Sequence, residues 1–247
     1  MATGVLSKAS SNYKTAKSIA KGGYVGSILY LSPEKSSGLG NLCPFASKGC
    51  TTSCLNTAGR GAMTAVQAGR LRKTKLFYQN KALFFNTLFE ELEALNRKAV
   101  KADKKAFVRL NGTSDINWGA FRPYAGKTVF EAFPDIQFYD YTKDIKKALV
   151  CGDLKPANYH LTFSRSEGNM LEVERALEAG VNVAVVFRKT LPKTWMGYKV
   201  LDGDTTDLRF EEGYQGAIVG LIAKGKAKRD TSGFVVDFPT ETLLDRA

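Results

Sequence analysis

The sequence predicts an α/β fold: a partial or distorted, TIM-like (β/α) barrel, with an open doubly wound sheet as the other arrangement. Three observations predict it. From residue 106 onward short strand-like runs alternate with helical ones, which implies a mainly parallel sheet with right-handed crossovers. Several strands carry one polar and one apolar side, unlike the continuous apolar runs of strands buried on both faces. A long, cysteine-bearing loop without periodicity follows the first strand, and such loops inside compact domains are usually functional.

The elements follow in order. Residues 1–22 are polar and basic and read as a loose or weakly helical N-terminal arm, leaving 23–247 as one barrel-like domain. Residues 25–31 (VGSILYL) form the first strand. The loop from Ser32 to Gly61 carries glycines, Pro33, Pro44 and three cysteines. Across 63–101, Phe77, Phe84, Leu88, Leu92 and Leu95 recur at helical spacing, giving one long amphipathic helix or two consecutive ones. Strands are expected at 106–111, 136–142, 158–164, 181–188, 198–202 and 216–223, and helices at 127–133, 144–150 and 168–179. Phe107, Arg109 and Asn111, then Gln137, Tyr139 and Tyr141, then His160, Thr162 and Ser164 mark the polar sides. If the apolar sides meet the helices, these polar sides converge on an interior suited to a ligand cavity. An open antiparallel sheet with one wet face would show the same alternation.

The 247 residues include 44% hydrophobic and 24% charged side chains, ordinary for a globular chain able to bury a core. No apolar run reaches the ~20 residues that cross a bilayer, and the N-terminus lacks a signal-type apolar stretch. A cytoplasmic location is expected. The net charge of +12 points to a polyanion such as nucleic acid, or to an anionic small molecule. A merely solvated surface accounts for the same charge.

Three of the four cysteines, Cys43, Cys50 and Cys54, fall within twelve residues, and in a reducing compartment such a group favours metal over disulfide. Three thiolates with a remote or missing fourth ligand recur at iron–sulfur clusters (4Fe–4S or 3Fe–4S). Structural zinc takes four ligands, often as two close pairs, and the six-residue gap here fits that pattern less well; metal-free buried cysteines are the third reading. Cys151 or the single histidine, His160, could complete a set of four. A non-catalytic protein that binds nucleic acid or a host protein, with the cluster structural or redox-sensing, is the reading from another functional class.

Polar residues gather at the expected carboxyl ends of the strands, where α/β folds place ligands. They are Asn111, Ser114 and Asp115, Tyr141 and Lys143, Ser164, and Asp202 and Asp204. Together they suit a small polar ligand with amino and carboxylate parts, although each alone reads as a turn former or helix cap. Residues 153–158 (DLKPAN) match a kinase catalytic loop, but the Gly-rich loop, strand lysine and D-F-G that a kinase needs do not accompany it. No dinucleotide or P-loop motif is present. The basic run 224–229 (KGKAKR) is a candidate phosphate-backbone contact or a solvated loop.

The segments LGNLCPFASKGCTTSCL, VRLNGTSDINW, FYDYTK, HLTFSRSEGN and VLDGDTTDLRF followed by VGLIAKGKA run in this order from about Gly38 to Gly233. They resemble the phage-encoded gene product eighty-eight family. The resemblance implies a viral protein working in a host bacterial cytoplasm. That family looks distantly similar to radical S-adenosylmethionine enzymes, in which a partial (β/α) barrel carries a three-cysteine 4Fe–4S cluster whose open iron binds S-adenosylmethionine. By position Cys43, Cys50 and Cys54 would match the cluster ligands. The gaps depart from that pattern, six and three residues here against three and two there.

Overall fold

The apolar alternation of the sequence becomes a sheet of nine strands in a computed structural model that describes residues 4–20, 22–150, 156–211 and 215–237. The strands are β1 (Leu6–Lys8), β2 (Tyr24–Leu29), β3 (Lys105–Arg109), β4 (Ile136–Thr142), β5 (Tyr159–Ser164), β6 (Val183–Phe187), β7 (Thr194–Trp195), β8 (Tyr198–Asp202) and β9 (Ile218–Ile222). Their order is β1-β2-β3-β4-β5-β6-β9-β8-β7. Six of the eight neighbouring pairs are parallel; β1 on β2 and β7 on β8 are antiparallel. The α/β class therefore holds. The sheet does not close, because β1 and β7 stand at opposite edges; it is an open, mostly parallel sheet, and the expected partial TIM-like barrel is not borne out.

From β2 to β6 the strands follow chain order without reversal, so right-handed crossovers bring every connecting helix to one face. On that face lie α3 (Thr64–Gln79), α4 (Lys81–Lys101), α5 (Val129–Ala132), α6 (Ile145–Ala148) and α7 (Met170–Glu178). The helical spacing read in 63–101 resolves into two helices broken at Asn80, whose side chain accepts the Leu83 amide (3.0 Å) and caps α4. Phe77, Phe84, Leu88 and Leu92 pack on Leu29, Val108, Leu110, Ile136 and Phe138. Val173 and Leu177 of α7 pack on Phe163, Val183, Val185 and Ile218. No described helix is long and apolar enough to cross a membrane.

The other face departs from expectation. The N-terminal segment is helical in part, as one of its two readings expected, but packed: β1 pairs with β2, α1 (Tyr13–Ala20) covers this face with Ala9 and Thr15 fully buried, and Val5 is buried on the crossover-helix face. The first strand is thus β1, and the cysteine loop follows the second. The polar strand sides do not line an open interior over β3 and β4, because residues 203–210 fold across them. Asp207 accepts the Tyr139 hydroxyl (2.9 Å) and faces Arg109 (3.5 Å), while Arg209 donates to the Tyr141 hydroxyl (2.6 Å). The chain's own carboxylate and guanidinium groups fill the place expected for a ligand.

Candidate metal centre

The cysteine loop lies on the carboxyl ends of β3, β4 and β5. Glycine, serine and threonine between the cysteines fold it into tight local turns. Ser47 caps the one-and-a-half-turn helix α2 (Lys48–Thr52) by accepting the Cys50 amide (3.1 Å), which fixes Cys50 in its first turn. Glu167, just past β5, accepts from Ser47 Oγ and the Gly49 amide, both at 2.7 Å, and pins α2 to the sheet. Those hydrogen bonds outweigh burial and hold the Glu167 carboxyl below its ordinary range. Gly49 is required here: a Cβ would stand 2.6 Å from Phe234 Cβ.

Cys43 is set from the other side. Its sulfur accepts the Glu34 amide (3.4 Å) and its thiol faces the Thr113 carbonyl (3.8 Å), while Asp115 donates its amide to the neighbouring Leu42 carbonyl (2.7 Å). Cys54 sulfur accepts the Asn56 amide (3.4 Å). Burial pushes the Cys43 thiol up to about 12, and the nearby Cys54, Asp115 and Cys50 push the same way against the Glu34 amide. Burial also raises Cys54, with Cys50 adding to it, whereas Asn56, Arg70 and Lys143 oppose. The three sulfurs therefore stand within electrostatic reach of one another. Ionising them together needs a cation at their centre or close beside them.

Two groups that the sequence did not single out surround this site. Arg70, on α3, is 7% exposed, stacks over Tyr30 (5.1 Å) and donates to Asn56 Oδ1. It has no carboxylate partner among the described residues; burial lowers its pKa, and the groups that oppose this are Tyr30 and Cys54. Ser53 Oγ, one residue before Cys54, is buried without a partner among the described residues, and so is Arg70 Nε. Orphaned donors beside thiols suit a centre that brings its own acceptors, as cluster sulfides do. Among the described residues no three His, Cys, Asp or Glu side chains converge closely enough for one metal ion.

The strand-end residues divide. Asp115 joins the cysteine site, accepting the Lys143 amide (2.8 Å) and pairing with Lys147 (2.6 Å). Lys143 stands over the Phe234 ring (5.6 Å). Asn111 and Ser114 support the loop: Asn111 Oδ1 accepts from Ser114 Oγ (2.9 Å), the Ile116 amide (3.0 Å) and Trp118 Nε1 (3.1 Å). The Ser164 carbonyl accepts from Asn169 (3.0 Å) and sets the turn after β5. Tyr141, Asp202 and Asp204 do not join them. Tyr141 belongs to the covered face, Asp202 Oδ1 accepts the Asp204 amide (2.7 Å), and Asp204 pairs with Lys14 (2.5 Å) and Lys224 (2.8 Å). Burial pushes the Asp204 carboxyl upward, but the two lysines outweigh it and hold it at about 2. Cys151 lies outside the described residues. His160 sits in the body of β5 in register with Tyr139, away from the strand end where the cysteines lie. Arg70 was detectable only as a basic residue in a helix; nothing in its spacing marks it as buried.

No curated protein and no solved structure matches the chain significantly. The family model described as Gene product 88 matches residues 5–237, and the chain belongs to that family of phage gene products.

Proposed function

We propose that this protein is an iron–sulfur protein of the phage-infected bacterial cytoplasm, holding a 4Fe–4S or 3Fe–4S cluster on Cys43, Cys50 and Cys54. The observation that carries the reading is three thiols on one loop, with Cys50 raising the pKa of both Cys43 and Cys54, beside a buried guanidinium with no acid partner among the described residues. A cluster ligated by three thiolates has net negative charge, so it would neutralise Arg70 and give Ser53 an acceptor. Bound there, the cluster would supply one-electron transfer. This chain's residues would seat it: Ser47 and Glu167 orient Cys50, Asn56 orients Cys54, and the Glu34 amide orients Cys43. The distant similarity expected for the family would extend the proposal to an open iron that binds S-adenosylmethionine at the carboxyl edge of the open sheet.

Anaerobically purified and reconstituted chain should be brown, with stoichiometric iron and sulfide and no zinc. Serine at any of the three cysteine positions should abolish the colour. A colourless, iron-free protein refutes the reading. Reductive cleavage of S-adenosylmethionine tests the radical version separately, and its absence under strong reduction removes that version alone.

One observation favours the non-catalytic reading with nucleic acid or a host protein as partner. Between Glu34 and Glu90 the chain has eight Lys and Arg residues and no Asp or Glu. The same stretch exposes Leu39, Phe45, Leu55 and Met63. Lys226, Lys228 and Arg229 are exposed on a turn that packs against residues 55–57. Binding to DNA or RNA should then fall steeply with salt; no binding at low salt ends the nucleic-acid version.

A further inference from the structure

The cysteine loop also forms one wall of an open cleft of about 470 Å³. Residues 44–47, just after Cys43, make that wall; residues 143–146 after β4 make a second; Ser166, Asn169 and Glu172 belong to a third. Ser166 is only 4% exposed, yet its hydroxyl has no partner among the described residues, since only its amide is engaged, donating to Asn169 Oδ1 (2.6 Å). That bond also occupies the Asn169 side chain, so α7 begins without a side-chain cap and the amides of its first turn remain available. Lys143 and Lys146 line the cleft, and neither has a carboxylate partner among the described residues. The Asp144 carboxylate between them is engaged by the amides of Lys146 (3.0 Å) and Lys147 (3.3 Å). An uncapped helix N-terminus, two ammonium groups with no carboxylate partner among the described residues and an accessible hydroxyl on a nearly buried serine all favour negative charge. Asp144, whose Oδ2 makes no hydrogen bond among the described residues, and Glu172 line the same cleft and oppose it.

We propose that this cleft binds the carboxylate or phosphate group of a small ligand, held by Ser166, the first turn of α7, Lys143 and Lys146. The proposal names the ligand class for the site described above and rests on that reading for the ligand's role, whereas anion binding itself needs no cluster.

The test is thermal unfolding of the full chain, prepared anaerobically, titrated with inorganic phosphate, sodium acetate or sodium chloride at matched ionic strength. The midpoint should rise and saturate with phosphate or acetate and not with chloride. The anion that saturates at the lower concentration identifies the ligand group as phosphate or carboxylate. Ser166→Ala and Lys143→Gln should each weaken binding by about tenfold. Glu172→Gln should tighten it. Equal shifts with all three salts, or unchanged affinity in both Ser166→Ala and Lys143→Gln chains that fold normally, would overturn the proposal. Brown protein without anion binding sinks the cleft alone, and colourless protein that binds anions sinks the cluster alone.

Discussion

Arg70 and Asp140 are opposite cases of buried charge. Arg70 has no acid partner among the described residues, and the cluster proposed above would supply its negative charge. A positive charge next to a cluster favours the reduced, more negative form. Arg70→Gln should therefore move the midpoint potential of reconstituted protein downward by up to about 59 mV, a tenfold change for a one-electron couple. Arg70→Lys should retain most of the potential. Asp140 is fully buried behind Asn111, accepting its amide (2.6 Å) and the Tyr159 hydroxyl (3.0 Å). Burial raises its carboxyl to about 7, against the pull of the Asn111 amide, Arg109 and Lys147. The folded chain holds a proton that the unfolded chain releases near pH ~4, so this contribution is complete below ~4 and is lost as pH rises toward about 7. Asp140→Asn should flatten that part of the denaturation profile and cost about 1–3 kcal/mol at pH 5 through a lost acceptor.

At the level of elements, the carboxyl edge depends on a few ties between loops. Asp115 joins the tips of β3 and β4 to the cysteine loop, and its pair with Lys147 is almost wholly buried. Asp115→Asn should destabilise the chain by roughly 3–5 kcal/mol, measured by urea unfolding, because it leaves the Lys147 ammonium unpaired. Glu167 plays the same part for α2, and Glu167→Gln should weaken retention of any bound metal before it weakens the fold. Strands β3 to β6, β8 and β9 and helices α3, α4 and α7 were legible because alternation and helical periodicity persist over five or more residues in each. β1, α2 and β7 were not, and α1 was legible only as a weakly helical alternative. Three- and two-residue strands carry no period, and α1 is polar in composition, its place set by contacts with a sheet that forms from distant sequence. The cysteines announced themselves by spacing. The division of the strand-end residues into two groups did not, because residues 203–210 return to cover one face from nearly a hundred residues beyond β3.

Across the whole molecule, one face of the sheet is dressed by crossover helices and the other by α1 and a returning segment, which leaves the carboxyl edge for the cysteines and their cleft. The aromatic cluster under α3 and α4 anchors that arrangement: Phe84 is fully buried, edge-on to Phe77 and stacked on Trp118. Phe84→Ala should cost ~3–5 kcal/mol of global stability and loosen the cysteine loop with it. The two outermost strands are the shortest of the nine, and both run against their neighbours. An exposed row of unpaired amides on a parallel sheet invites the next copy to add on, and these brief caps leave almost nothing to template on. A chain shortened by its first eight residues would bare the flank of β2, and it should polymerise through that flank at concentrations where the intact protein disperses freely.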